Sequence, residues 1–119
     1  MIMQKQNQDT LDIMRLLGHV FLLHGRPDQA LVMLRALCVL VPEDKRAMRS
    51  LALAAIRSGQ AGEASRVLDR LRDSGDPSPV LHLLDGQALA ATGRQTEAER
   101  AFSQFSAARA AEAFTPASF

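Results

Sequence analysis

The sequence predicts an all-α fold of three tandem helical hairpins, and three observations carry that expectation. Glycines recur at Gly25, Gly59 and Gly93, 34 residues apart each time, and a fixed period of that length marks a stacked repeat. Ala30, Ala64 and Ala98 keep the same step, followed at fixed offsets by Leu34, Leu68 and Phe102 and then by Leu37, Leu71 and Phe105. Composition agrees: 47% of residues are hydrophobic but only 4% are aromatic, so the core must come from Leu, Ala, Val, Ile and Met, a mixture that favours helix.

The elements follow in order from their breaks. Residues 1–10 are polar, with Gln4, Lys5, Gln6, Asn7, Gln8 and Asp9 where a secretory signal would be apolar, and read as a flexible lead. A first helix is expected over 11–24. It ends at Gly25, where a left-handed backbone is cheap without a Cβ, and Pro27 and Asp28 open the second helix over 27–40. The run Val41-Pro42-Glu43-Asp44 breaks the chain before a third helix over 44–58. Ser58-Gly59-Gln60 leads to a fourth over 61–73, and Ser74-Gly75-Asp76-Pro77 to a fifth over 79–92. Thr92-Gly93-Arg94 precedes a sixth over 95–112, and the tail over 113–119 is expected to fray. Within each hairpin the small alanine lets two helices approach, while the residues four and seven later return to the same face and fill the space between hairpins. One domain over 11–112, in units 11–44, 45–78 and 79–112, accounts for the whole period.

Charge and chemistry narrow the function. Fourteen basic and thirteen acidic residues leave a formal charge of +1, without the basic footprint that a phosphate backbone requires, so nucleic acid is not expected as a partner. Cys38 is the one cysteine, which excludes an intramolecular disulfide and suits a reducing compartment. No apolar run approaches the twenty or so residues of a membrane span. His19 and His24 are five apart rather than three or four, and His82 has no Cys or carboxylate cluster beside it, so no metal site is expected. The glycines are spent one per turn instead of gathered into a phosphate loop, and no nucleophile with its base is present. The expectation is a soluble, cytoplasmic, non-enzymatic protein without a cofactor.

The 34-residue unit resembles the tetratricopeptide repeat. In the first unit Leu17, Gly18, Phe21, Gly25, Ala30, Leu34 and Pro42 fall at signature places. The second keeps Leu51, Gly59, Ala64 and Leu68 but has Ala52 and Ala55 where the family prefers glycine and an aromatic. The third keeps Gly86, Gly93, Ala98 and Phe102 and puts Asp85 where Leu is expected. The resemblance implies a right-handed superhelical solenoid whose concave side is lined by the first helix of each hairpin. Carried over position by position, it places Arg15, His19 and Leu22 on that groove from the first repeat, Arg46, Arg49, Leu53 and Ile56 from the second, and Val80, Leu83 and Gln87 from the third. Leu22, Leu53, Ile56, Val80 and Leu83 would then form an exposed apolar strip, and Arg15, Arg46 and Arg49 would offer charge to a partner's carboxylates. The Lys and Asn residues with which chaperone-associated repeats clamp a C-terminal carboxylate are absent, since Arg15, His19, Ser50, Val80 and Leu84 stand in their places.

Size and the first hairpin, Leu16-Leu17-Gly18-His19-Val20-Phe21-Leu22-Leu23-His24-Gly25 followed by Ala30 to Leu37 and Val41-Pro42-Glu43, are similar to the bacterial type III secretion chaperones of the YscY group. That resemblance implies a cytoplasmic chaperone that shields a small secreted protein partner of the YscX type, in a 1:1 complex that engages the export gate. A chaperone of a needle or translocator subunit, and a general tetratricopeptide scaffold, are the alternatives. Three repeats are the lower limit for a solenoid, so the chain is expected to self-associate without its client.

Overall fold

The computed structural model describes residues 2–113, with side chains described over 5–112. Among these residues the chain contains helices and turns and no strand: α1 Ile2–Leu23, α2 Pro27–Leu40, α3 Lys45–Arg57, α4 Ala61–Asp73, α5 Val80–Ala91 and α6 Gln95–Ala113. The bounds of α2 to α6 fall within a residue of those expected. The stretch expected to be a flexible lead does not behave as one, because α1 already begins at Ile2. Gln4, Lys5, Gln6 and Gln8 are good helix formers, and the stretch is tied internally: the Thr10 hydroxyl donates to the Gln6 carbonyl at 3.0 Å and the Gln8 amide to Asp12 at 3.1 Å. Polarity there argues against a signal segment but not against a solvated helix. Of the expected C-terminal tail, Ala113 closes α6 and the remainder lies outside the described residues.

The period of 34 becomes a period of identical turns. Gly25, Gly59 and Gly93 adopt φ of 68°, 77° and 79°. In each case the next amide donates to the carbonyl five residues back: Arg26 to Phe21 at 2.8 Å, Gln60 to Ala55 at 2.7 Å and Arg94 to Leu89 at 2.9 Å. This closure satisfies carbonyls that the end of a helix would otherwise leave bare. The turn after α4 uses the same device, with Asp76 donating to the Leu71 carbonyl at 3.1 Å.

Every helix packs on the next in the chain, and α3 also reaches α1 and α5. The core is centred on Leu34, Leu37, Leu68 and Leu71, each 2% exposed or less. Burying each contributes about 1.5–3 kcal/mol, and shortening Leu68 to Ala would cost about 2–5 kcal/mol. Around them α3 presents Ala47, Ala52, Ala54 and Ala55, all buried. Two close approaches explain glycines of the motif. A Cβ on Gly18 would stand 2.9 Å from Leu34, and one on Gly86 only 2.4 Å from the Phe102 ring. The middle unit has Ala52 at that register, fully buried in the core. Asp85, which stands where a Leu was expected, is half-buried and accepts from Arg72 of α4 at 2.5 Å. The exchange of an apolar contact for a charged one is thus local, and α5 still buries Leu81, Leu84 and Ala88.

Candidate interaction surface

Two adjoining clefts open along α1, α3 and α5. The first, about 290 Å³, is rimmed by Arg15, Leu16 and His19 of α1 and Arg46, Ala47 and Ser50 of α3, with Leu34 and Leu37 of α2 as its floor. The second, about 210 Å³, lies between Arg46, Arg49, Ser50 and Leu53 of α3 and Val80 and Leu84 of α5. Arg46 and Ser50 belong to both. Of the ten residues expected on a groove, Arg15, His19, Arg46, Arg49, Leu53 and Val80 are therefore brought together, while Leu22, Ile56, Leu83 and Gln87 line neither cleft.

The apolar strip expected on this face is corrected by the packing. Leu22 is 8% exposed and belongs to the core, because it sits one helical turn beyond Gly18 on the side of α1 that also carries Leu11, Met14 and Phe21. Leu53, Ile56 and Val80 are half-buried and packed against that core. Leu83 and Gln87 are half-buried as well. The large apolar side chains that face solvent are Ile13, Leu16 and Leu23 of α1 and Val32, Val39 and Leu40 of α2, and of these Leu16 rims the first cleft.

Electrostatics correct a second expectation. Arg15 donates through Nε at 3.1 Å and Nη2 at 2.5 Å to Asp44 Oδ2. Asp44 is the N-cap of α3, and its other oxygen accepts from the Ala47 amide at 3.0 Å. One repeat on, Arg49 Nε donates to Asp76 Oδ2 at 2.9 Å, and Asp76 Oδ1 accepts from the Ser78 amide at 3.2 Å. Two of the three arginines expected to meet a partner's carboxylates are thus already paired within the chain. Arg46 is exposed and has no side-chain partner among the described residues. Burial pushes the Asp44 carboxyl up, but the Ala47 amide and the Arg15 guanidinium outweigh it and hold the group below its ordinary value. The sequence did contain a signal for these clasps: Arg15 and Arg49 share the 34-residue step, and each is followed by an aspartate beside a proline-bearing break.

The outer ion pairs brace the helices without entering the clefts. Arg35 of α2 and Glu63 of α4 meet at 2.5 Å, and the hydrogen bond from Arg35 lowers the Glu63 carboxyl. Arg72 bridges Asp69 and Asp85. Burial pushes the Cys38 thiol up, which keeps it protonated and makes it a packing residue. Among the described residues no group of three or more His, Cys, Asp or Glu could hold a metal ion, and no helix is long and apolar enough to cross a membrane.

No curated protein matches the chain. Residues 2–76, which take in α1 to α4 and the arginine clasps, match the model of the bacterial transcriptional activator domain. That span exceeds half of the sequence, and its helix-on-helix packing fits a helical, tetratricopeptide-like family. The chain belongs to the bacterial transcriptional activator domain family.

Proposed function

We propose that this chain is a non-enzymatic binding module that holds a segment of another protein along α1, α3 and α5. The observation that carries the reading is the pair of adjoining clefts, whose floors are leucines and whose shared rim holds the unpaired Arg46. A cleft of about 290 Å³ takes one bulky apolar side chain, and a few such anchors can dominate affinity. Three stacked hairpins curving as a right-handed superhelix would make these clefts one continuous concave surface, the binding side of such arrays. Among partners, we favour a small secreted subunit of the YscX type, held 1:1 in the bacterial cytoplasm for delivery to a type III export gate, as the resemblance to the YscY chaperones suggests. Needle or translocator subunits are the neighbouring choices.

The family match supports a second reading, in which the same clefts serve protein contacts of a transcriptional regulator. The two readings separate by partner. Calorimetric titration with a purified YscX-type subunit is expected to show 1:1 binding. Arg46→Glu combined with His19→Glu, both on exposed rim positions, is expected to weaken it about tenfold or more. Absence of binding would defeat the chaperone reading. Binding indifferent to the rim variants would defeat the groove.

A further inference from the structure

We infer that the third hairpin, α5 with α6, swings as one body against α4 on a hinge where α5 meets α3. The joint it opens is held by charge, where the preceding joint is held by apolar packing. The observation is a comparison of the two joints at the 34-residue step. At the first, Leu31, Met48 and Leu51 are 5%, 7% and 3% exposed, and Cys38 is packed against the same core. Thirty-four residues on, these positions hold Ser65, His82, Asp85 and Arg72. They line an open cleft of about 520 Å³ between α4, α5 and α6. Every apolar group of the set has become a polar one, and none of the four is buried.

The clasp between the outer helices is lost in the same step. Arg35 of α2 and Glu63 of α4 pair at 2.5 Å. Their counterparts on α4 and α6 are Asp69 and Glu97, two carboxylates that repel instead of pairing. Each turns to an arginine three residues away, Asp69 to Arg72 and Glu97 to Arg94. Among the described residues no ion pair joins α4 to α6, and the ionic link across the cleft is Arg72 of α4 to Asp85 of α5 at 2.5 Å. Its side chains are 43% and 26% exposed, so water competes for them and salt screens them.

What fixes α5 lies deeper. Leu81, Leu84 and Ala88 belong to the core, Arg49 holds Asp76 before the start of α5, and α5 touches α3. Among the described residues α6 packs on α5 and on no other helix, with Phe102 against Gly86, so it travels with α5. The break that carries the motion is 74–79, against 41–44 at the first joint. It contains Gly75 at φ 80°, whose counterpart is Val41. Val80 and Leu84 move with the hairpin, so the second cleft adjusts its width while the first keeps its shape. The hinge does not depend on the groove reading, because His82, Asp85 and Leu89 lie on the face of α5 away from Val80 and Leu84.

Pairs of nitroxides at equivalent places read the two joints by double electron-electron resonance, in the full chain with Cys38→Ala. Ala36→Cys with Arg70→Cys spans the first joint and Arg70→Cys with Gln104→Cys the second, all at exposed positions. The first pair is expected to give one narrow distance that ignores salt. The second should give a broader distribution, with an open population that grows about threefold or more between about 0.05 and 0.5 M sodium chloride. Asp69→Arg with Asp85→Leu rebuilds the first joint in the second, and should reduce that population about tenfold at unchanged helical circular dichroism. Equal widths at the two joints overturn the proposal without any further variant. So does a second distribution that ignores salt, or one that the rebuilt joint leaves as broad.

Discussion

The arginines of the two clasps occupy the same register, yet the pairs differ in what surrounds them. Arg15–Asp44 joins α1 to the start of α3 at a place where the side chains remain 36% and 18% exposed. Arg49–Asp76 joins α3 to the break before α5, where the carboxylate is only 1% exposed. Water can replace the first pair's partner and cannot reach the second's. The same interaction is therefore a modest support at one link and an obligation at the other, because a lone charge out of water is far costlier than a lone charge beside it.

Substitutions at the clasps would break or sharpen this contrast. Arg49→Ala strands the buried Asp76 and is expected to cost about 3 kcal/mol, read as a lowered urea midpoint. A cost below that of Arg15→Ala would reverse the comparison. Asp44→Ala removes both the cap of α3 and the acceptor of Arg15, with an expected cost of about 1.5 kcal/mol, measured in the same way. Arg15→Ala leaves the cap in place and should cost only about 0.5 kcal/mol. The smallest effect is that of pH. The Asp44 and Glu63 carboxyls are held below their ordinary 3.8 and 4.5, so their contribution is fully present above those values and is lost as pH falls through the lowered ones. Thermal midpoints should thus stay level near neutrality and decline on acidification below about pH 4.5. Asp44→Asn should flatten part of that decline.

How far the sequence disclosed this molecule depended on whether a feature was local. The glycine turns were legible because φ near +70° leaves one residue type at ease, and that residue recurs at Gly25, Gly59 and Gly93. Gly18 and Gly86 were legible only as signature positions of the repeat, and the reason for them, the close approach of Leu34 and of Phe102, came from the structure. The start of α1 was not, since polar residues can be solvated coil or solvated helix, and only bonds such as Gln8 to Asp12 decide between them. Leu22 was misplaced, and Leu53, Ile56 and Val80 lie deeper than an exposed strip would, because helical spacing marks a face without saying how deeply its neighbours cover it. The clasps were missed for want of depth information too: Arg15 and Asp44 are 29 residues apart in sequence, and a charge balance looks the same whether charges meet each other or a guest. Of the surface proposed to bind, the sequence supplied the helices and most rim residues, and the structure supplied which cations are vacant.

The methyl side chains of α3 have a consequence for variation. Ala52, Ala54 and Ala55 are wholly enclosed, so the central helix has no slack on the sides it turns to its neighbours, and any enlargement there must push whole helices apart. Change can accumulate instead at the rims and at the two outer ends. A chain of this kind can acquire new companions by redecorating its borders while its spine stays as it is.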